Sequence, residues 1–294
     1  MTVEKKLEYI EARVDVPSEL TDAVCDFIIE NITSGLVIEE EENSDQTGVV
    51  FYIPADSDGT FREQLTDYLS SLTSEKMPRA PQLRERIIGD IDWIEKYRES
   101  ARPVWIGSDI VVRPQWHQLE TPVKYDIIVE PRMAFGTGSH ETTQTCLRMI
   151  RDHFRPGMRF LDVGTGSGIL SILADKMGAS YIKAVDCDVV AIENCRENLK
   201  INNVAAVHDV QFGSIENCDG DESYQFVCAN IIKSTILPML PRLLSLTAVS
   251  GVLVLSGLLK EDQAEIEDSL RQQGQKDISV HRLGEWVTYV IRRS

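Results

Sequence analysis

Three glycines alternate with small residues in the stretch LDVGTGSGIL, at Gly164, Gly166 and Gly168, shortly after Asp162. The apolar residues before them are typical of a buried strand, and those after them are typical of a helix. Glycines between a strand and a helix let the backbone turn tightly and let a ligand approach the main chain. The pattern therefore indicates a ligand-binding turn, and a tight connection with no ligand is the simpler alternative.

The phosphate-binding glycine motifs do not match this turn. A dinucleotide fingerprint, G-x-G-x-x-G, needs a glycine where Ile169 or Ser171 stands, depending on which glycine is counted first. A P-loop needs Gly-Lys-Ser or Gly-Lys-Thr, and the sequence contains neither run. A nicotinamide-dependent oxidoreductase is therefore disfavoured.

Two polar residues end later apolar strands. Asp186 ends YIKAVD, 22 positions after Gly164, where a carboxylate can accept two hydrogen bonds from ribose hydroxyls. Asp188 follows at the start of a helix and is interpreted as its N-cap. Asn230 ends YQFVCAN, where an amide and its neighbouring carbonyls can hold a substrate amine. The alternative for Asn230 is that it only terminates the strand by turn chemistry.

The tetrapeptide Gly-Thr-Gly-Ser of this turn also occurs at 136–139, in the stretch AFGTGSHETT. That stretch contains no Lys or Arg, which disfavours phosphate binding. His140 follows, but no second ligand stands at a spacing usable for a metal. The glycines and hydroxyls of this copy predict a mobile loop that closes over a polar ligand.

The elements that must position these residues form two patterns. Residues 1–90 predict the order strand, helix, strand, strand, helix, strand, which is a ferredoxin-like domain. Residues 91–103 predict a short connecting helix. Residues 104–294 alternate short apolar strands with helices and end in two strands that pair as a hairpin. This second pattern predicts a doubly wound, mostly parallel sheet.

The formal net charge at pH 7 is −17, and it is unevenly distributed. The first 100 residues contain 23 Asp and Glu against 10 Lys and Arg, a net of −13, while the remaining 194 have a net of −4. Such a surplus is typical of a solvated surface. It also suits a dock for a basic partner, because opposite charge speeds encounter and like charge repels nucleic acid. Both interpretations stay open.

The ferredoxin-like order is shared with RNA-recognition modules, which carry basic and aromatic residues on a central strand. The strand TGVVFYIPAD has aromatic residues but no Lys or Arg, so RNA binding by this domain is disfavoured. The chain has no apolar run long enough to span a membrane and no signal peptide at its start. Its six cysteines form no C-x-x-C pair. We therefore expect a cytoplasmic protein with reduced thiols.

Several stretches together resemble one family. The glycine turn resembles the first motif of class I S-adenosylmethionine-dependent methyltransferases. PRMAFGTGSHETT, DVGTGSGILSI, VDCD, ANII and LSGLL resemble the bacterial ribosomal protein L-eleven methyltransferases, and DWIEKYRESARPVWIG resembles the connector of that family. The resemblance runs through nearly the whole chain and is weakest over the first domain. It departs at Asn230-Ile231-Ile232, where many members have Asn-Ile-Leu.

The resemblance implies a fold, a cofactor and a set of site residues. The fold is α/β, a doubly wound seven-stranded methyltransferase sheet with an N-terminal ferredoxin-like α+β domain that recognises the substrate. The cofactor is S-adenosylmethionine, released as S-adenosylhomocysteine, and Asn230 also positions the substrate amine. The implied cofactor contacts are Phe135, Thr143, Gly164, Gly166, Asp186 and Asn230.

The implied reaction is methylation of lysine side chains, the N-terminal amine or both, on the large-subunit ribosomal protein L-eleven. We expect a monomer that makes no direct contact with nucleic acid or membrane and holds no metal. A methyltransferase of another protein, an RNA or a small molecule would share the second domain. A non-catalytic S-adenosylmethionine-binding regulator would keep the glycine turn but would not need Asn230 or the loop at 136–139.

Overall fold

The computed structural model describes residues 8–33, 36–40, 46–55, 57, 59–72, 81–89, 102–130, 138–218 and 223–293. The chain divides into two compact units, residues 1–100 and 101–294. The predicted connecting helix at 91–103 lies outside the described residues up to position 101.

The first unit contains a four-stranded antiparallel sheet with the order β2-β3-β1-β4. A short 3-10 turn joins its first strand to its first helix. This arrangement confirms the predicted ferredoxin-like order. The elements are β1 (Glu8–Pro17), the 3-10 turn (Ser18–Leu20), α1 (Thr21–Asn31), β2 (Leu36–Glu40), β3 (Gln46–Pro54), α2 (Phe61–Ser71) and β4 (Arg84–Gly89).

One face of this sheet forms the core of the first unit. Alternate residues of β1 are buried and pack with apolar residues of β3 and of both helices. The alternation follows from the two-residue period of a strand, which sends successive side chains to opposite faces. The buried residues of β1 are Ile10, Ala12, Val14 and Val16.

The other face of the sheet carries charged side chains. The ion pairs there are Glu11–Arg86, Arg13–Asp15, Arg13–Glu39 and Arg84–Asp15. Three carboxylates thus meet three guanidinium groups. Among the described residues, the acidic surplus of the first unit is therefore not concentrated in this network.

The second unit opens with a small three-stranded sheet. β5 (Val104–Ile106) and β6 (Ile110–Arg113) are antiparallel, and β7 (Tyr125–Ile128) runs parallel to β6. The residues of these strands that face α3 (Glu141–His153) belong to the same core as that helix. The small sheet thus holds the chain just ahead of the first Gly-Thr-Gly-Ser copy against the main body of the unit.

The seven-stranded sheet that follows has the order β10-β9-β8-β11-β12-β14-β13. Its strands are parallel except β14, which pairs antiparallel with both β12 and β13. Both the parallel sheet and the closing hairpin were predicted and are confirmed. The elements are β8 (Arg159–Val163), α4 (Ile169–Lys176), β9 (Tyr181–Asp186), α5 (Val189–Ile201), β10 (Val207–Phe212), a 3-10 turn (Ile215–Asn217), β11 (Tyr224–Asn230), α6 (Lys233–Leu246), β12 (Thr247–Leu259), a 3-10 turn (Lys260–Asp262), α7 (Gln263–Gln272), β13 (Ile278–Leu283) and β14 (Trp286–Arg292).

Helices cover both faces of this sheet. Helices α3, α4 and α5 pack on one face and α6 and α7 on the other. Strand order reverses between β8 and β11, because the chain leaves β8 toward one edge and returns beside it. In open α/β sheets, ligands bind at the carboxyl ends of the strands at this reversal. The fold therefore places the candidate site at the ends of β8 and β11.

Candidate functional site

The glycine turn after β8 lies at the strand-order reversal. Gly164 donates its N–H to the carbonyl of Val185 at 2.9 Å, which ties the turn to β9. Gly164 has a φ of +72°, and a Cβ placed there would lie 2.3 Å from Cγ2 of Ile231. Any side chain at this position would be strained and would collide, so glycine is required.

Asp186 is fixed by the same turn. Its Oδ2 accepts the N–H of Gly166 at 2.8 Å, and its Oδ1 accepts the N–H of Asp188 at 3.0 Å. Burial raises the pKa of Asp186, while the two backbone donors oppose that rise. Each carboxylate oxygen keeps a second lone pair. The carboxylate is thus oriented by the backbone and can still accept hydrogen bonds from a ligand.

Asp188 caps α5, as the sequence predicted. Its carboxylate oxygen accepts the N–H of Val190 at 2.8 Å. Because Asp186 also holds the backbone of Asp188, the start of α5 is tied to the glycine turn. The helix and the turn therefore form one connected frame around the Asp186 carboxylate.

Asp162 has a role that sequence reasoning did not assign. It is fully buried, and its Oδ2 accepts the hydroxyls of Thr165 at 2.9 Å and Ser171 at 2.7 Å. Burial raises its pKa to about 6. Its Oδ1 is buried with no hydrogen-bond partner among the described residues. Asp162 thus stabilises the glycine turn through its hydrogen bonds with Thr165 and Ser171. These two hydroxyl residues, at the turn and in the first part of α4, were the signal in the sequence.

Asn230 and Thr143 carry further buried polar atoms with no partner in the described part of the chain. These atoms are the amide oxygen of Asn230 and the hydroxyl oxygen of Thr143. Buried polar atoms are nearly always hydrogen-bonded, so these two atoms are candidates to bind a ligand.

The two residues belong to elements that share one core. Cys146 stands one helical turn after Thr143 on α3, and Cys228 stands two residues before Asn230 on β11. A hydrogen bond with Cys146 and burial raise the pKa of the Cys228 thiol, so α3 and β11 are in contact at these two residues. Asn230 ends β11 at the carboxyl edge of the sheet, and Thr143 lies in the first turn of α3.

Only the end of the first Gly-Thr-Gly-Ser copy lies within the described residues. Phe135, predicted to pack on the cofactor, lies outside them together with Gly136 and Thr137. Gly138 is buried with a φ of +89°, and a Cβ there would lie 2.8 Å from a methyl group of Val112. This glycine is therefore a close-packed anchor point of the loop.

His140 connects that anchor to α3 and to the final hairpin. Its Nδ1 accepts the N–H of Thr142 at 3.3 Å and so caps α3, while its ring lies edge to face against Trp286, with centroids 4.9 Å apart. Burial lowers the pKa of His140, which favours the neutral ring that the cap requires. The contact with Trp286 was not predicted, because the two residues are far apart in the sequence.

Among the described residues, no group of three or more His, Cys, Asp or Glu side chains could hold a metal ion. In the same part of the chain, no helix is long and apolar enough to cross a membrane.

Comparison with known proteins decides the family. A family model described as ribosomal protein L11 methyltransferase (PrmA) matches residues 8–294. The chain belongs to the ribosomal protein L11 methyltransferase family. The resemblance proposed from the motifs is thereby confirmed.

Relatives in this family match over most of their length. The ribosomal protein L11 methyltransferase of Dictyoglomus turgidum is 37% identical over 213 residues, covering 72% of this chain and 70% of that protein. The one from Exiguobacterium sp. is 29% identical and covers 98% of this chain and all of that protein. The crystal structure of the ribosomal protein L11 methylase from Lactobacillus delbrueckii subsp. bulgaricus has a TM-score of 0.60 and 28% identity, covering 66% of this chain and all of that one.

The departure from the family pattern at the end of β11 has little structural effect. Ile232, where many family members have leucine, is 41% exposed. Its neighbour Ile231 is the residue that packs against Gly164. The close contact at the site is therefore made by the residue that matches the family pattern.

Proposed function

We propose that this chain transfers methyl groups from S-adenosylmethionine to amino groups of ribosomal protein L11. The observation that carries the proposal is the meeting of a family-matching glycine turn, a backbone-held carboxylate and the buried amide oxygen of Asn230 at the strand-order reversal. The relatives carry the name of this activity.

The residues present fit S-adenosylmethionine. Gly164 and Gly166 are partly exposed, and we assign their main chain to contact the amino acid part of the cofactor. The remaining lone pairs of Asp186 suit two ribose hydroxyls. Thr143 and Asn230 offer the buried hydrogen-bonding atoms that lack a partner among the described residues. Phe135 completes the proposed set. When bound, the cofactor supplies a methyl group already activated by its sulfonium.

The chain must then present a neutral amine to that methyl group. A free lysine has a pKa of about 10.4, so neutralising it at pH 7 costs roughly 4.6 kcal/mol. A buried, uncharged surrounding reduces this cost, because burial disfavours the ammonium form. We assign the buried amide oxygen of Asn230 to accept an N–H of the amine and to orient its lone pair. Alignment of this kind is the main contribution that the protein makes to the rate.

We assign substrate recognition to the first unit. Ribosomal proteins are basic, and the first 100 residues have a net charge of −13. The network on the open sheet face is charge-balanced, so we place the dock on the helical side. Glu63 and Asp67 are exposed there, one turn apart on α2. We further propose lysine side chains as acceptors, with the N-terminal amine as an additional one.

One experiment tests the proposal against its alternatives. The full chain is incubated with isotopically labelled S-adenosylmethionine and purified ribosomal protein L11, and the label is located by mass spectrometry. We expect label on amino groups of the ribosomal protein, and less label with the Asp186→Ala variant when S-adenosylmethionine is well below its Kd for that variant. Tight cofactor binding without transfer to this protein would favour another substrate or a regulatory role. Label on ribosomal RNA in assembled subunits would favour an RNA methyltransferase.

A further inference from the structure

Helix α5 and its C-cap carry three asparagines that no motif explains. Asn194, Asn198 and Asn202 stand at intervals of four residues, and their side chains are 1%, 0% and 8% exposed. Asparagine is mostly found on protein surfaces, and a buried amide is costly unless it is hydrogen-bonded. The spacing places the three on one face of the helix. This face is therefore a polar seam inside the core.

Asn198 makes contacts in two directions. Its Nδ2 donates to the carbonyl of Ser167, in the glycine turn, at 2.9 Å, and to Oδ1 of Asn194 at 3.1 Å. Its Oδ1 accepts the N–H of Glu130 at 2.9 Å. Glu130 directly precedes the segment that contains the first Gly-Thr-Gly-Ser copy. A single side chain thus bridges the turn that holds one copy and the chain that leads into the other.

Asn202 resembles Asn198 but does not reach the glycine turn. Its Oδ1 accepts the N–H of Ile128 at 2.9 Å, and its Nδ2 donates to the carbonyl of the same residue at 2.6 Å. It therefore holds β7 in the way a neighbouring strand would. Asn202 supplies a matched control, because it is the same residue type, caps the same helix, and makes a comparable number of buried hydrogen bonds, one of them from its Nδ2 to the backbone carbonyl of Asn198.

Helix α5 is well suited to act as a shared frame. Its first turn is tied to Asp186 through Asp188, as described above. In its middle, the Sγ of Cys195 would lie 2.8 Å from a Cβ placed at Gly168, so the helix and the turn are in close contact. The bridge made by Asn198 adds the chain before position 131 to this frame.

The chemistry of the bridge requires an amide. One end must donate to a carbonyl and the other must accept from an N–H, and only an uncharged amide does both at this length. A carboxylate would keep the acceptor for Glu130 but would face the Ser167 carbonyl and the Asn194 oxygen without a donor. An apolar side chain of the same size would remove the hydrogen bonds that Asn198 makes to both backbone groups.

We infer that Asn198 is a positioning residue that holds the glycine turn at Ser167 in register with the backbone at Glu130, so that the turn keeps the shape that binds the cofactor. The inference rests on the proposed function, since the cofactor is the ligand that the glycine turn would bind. Asn198 acts only through the backbone at Ser167 and Glu130. A merely structural amide would stabilise the fold and leave binding and turnover alone.

The test compares Asn198→Leu with Asn202→Leu. Melting temperature, the Kd for S-adenosylmethionine by calorimetry, and kcat and KM with the ribosomal protein are measured for each, well below both melting temperatures. We expect both variants to lose thermal stability. Asn198→Leu should also raise the cofactor Kd about tenfold, equivalent to roughly 1.4 kcal/mol, and lower kcat, whereas Asn202→Leu should change neither by more than about threefold.

Hydrogen exchange measures the coupling between the glycine turn and Glu130 directly. It also tests the inference if a leucine variant folds poorly. In the wild-type chain, S-adenosylmethionine should protect the amides of the glycine turn and that of Glu130 together. In Asn198→Asp, which keeps the acceptor for Glu130 but loses the donor to Ser167, protection of the turn should no longer be accompanied by protection of Glu130. Asn202→Leu should retain joint protection.

Failure of the proposed function and failure of the inference about Asn198 give different results. If the wild-type chain binds no S-adenosylmethionine, the proposed function falls and this inference falls with it. If the wild-type chain binds it, but the leucine variants at 198 and 202 lose stability equally and keep the same Kd and kcat, only the inference is overturned. Joint protection that persists in Asn198→Asp overturns it as well.

Discussion

Single side chains at this site are held by the backbone before any ligand arrives. Asp186 illustrates this, because each of its oxygens already accepts one backbone N–H. Its carboxylate therefore has two tasks, to shape the glycine turn and to face the ligand. Replacing Asp186 therefore changes the glycine turn as well as the contact with the ligand. Its variants must be compared for both effects.

We predict that Asp186→Ala lowers S-adenosylmethionine affinity at least tenfold. Hydrogen bonds to a charged group contribute roughly 1.5–3 kcal/mol each, and every 1.4 kcal/mol is a factor of ten. Asp186→Asn, which keeps one acceptor oxygen, should lose less. Calorimetry on both variants measures the difference. An unchanged Kd in Asp186→Ala, with the fold intact by circular dichroism, would remove the ribose assignment.

For Thr143 we predict that one substitution stabilises the free protein while it weakens cofactor binding. The hydroxyl of Thr143 is buried without a partner among the described residues, so the free protein bears the cost of desolvating it. Thr143→Val removes the hydroxyl at similar volume. We expect the free protein to become slightly more stable, while cofactor binding weakens by about 0.5–1.5 kcal/mol, the net contribution of one neutral hydrogen bond.

Thermal melts with and without S-adenosylmethionine check both parts of this prediction. Thr143→Ser, which restores the hydroxyl, serves as the control and should bind as the wild-type chain does. Loss of stability without loss of affinity in Thr143→Val would mean that the hydroxyl serves the fold instead of the ligand.

At the scale of elements, helix α3 depends on a titratable cap. The cap needs neutral His140, and burial lowers the pKa of this residue. The unfolded chain therefore takes up the proton more readily than the folded chain. The contribution of the cap to stability is complete above the unfolded pKa of about 6.5 and is lost as the pH falls through the lower folded pKa.

Ionisation of Asp162 changes the stability of the folded chain in the same pH range but in the opposite direction. Its pKa is raised to about 6 by burial, so protonation on lowering the pH stabilises the folded chain. The wild-type melting curve alone would therefore mix the two effects. A variant that changes only the cap separates them.

We predict that His140→Asn gains stability relative to the wild-type chain as the pH falls below about 6.5. Asparagine is a good N-cap and does not titrate. The lost contact with Trp286 adds an offset that does not depend on pH, and Asp162 cancels in the difference. Melting temperatures of both proteins from pH 5 to 8 measure the effect. A constant difference over that range would show that His140 does not titrate as a cap.

The sequence patterns predicted elements better than the contacts between distant elements. Short apolar strands alternating with helices indicated the parallel sheet, because strands buried on both faces are apolar throughout. The glycine spacing and the strand ends at Asp186 and Asn230 located the candidate site. The pairing of β6 with β7 and the contact of His140 with Trp286 were not predictable, because each joins residues that only the folded chain brings together.

The asparagine seam was missed for a different reason. In the stretch VVAIENCRENLKIN, the asparagines look like part of a polar, solvated helix face. Their four-residue spacing was visible, but a spacing alone does not reveal which face of a helix is buried. The side of α5 that is buried at the asparagines depends on β7, which packs beside this helix. The sequence pattern did not specify that packing.

On the scale of the whole molecule, charge is divided between the two units. The acidic surplus belongs to residues 1–100, and the sheet face described there is balanced by its own ion pairs. The second unit has separate cores on both faces of its sheet. We therefore expect residues 101–294 to bind S-adenosylmethionine alone but to lose the ribosomal protein as a substrate.

If the first unit docks the basic substrate, exposed acidic side chains on its helical side should speed association. Reversing Glu63 and Asp67 to lysine on α2 should slow association with the basic protein and raise its KM severalfold at low salt. The effect should fade as salt rises, because charges are screened over about 8 Å at 0.15 M and about 3 Å at 1 M. Reversing the exposed Glu265 and Asp268 on α7 changes the net charge equally in the second unit and should have a smaller effect. Stopped-flow association and steady-state kinetics over a salt series measure both. If the fragment 101–294 methylates the ribosomal protein as well as the full chain does, the first unit is not the dock, and its acidic surface serves only solvation.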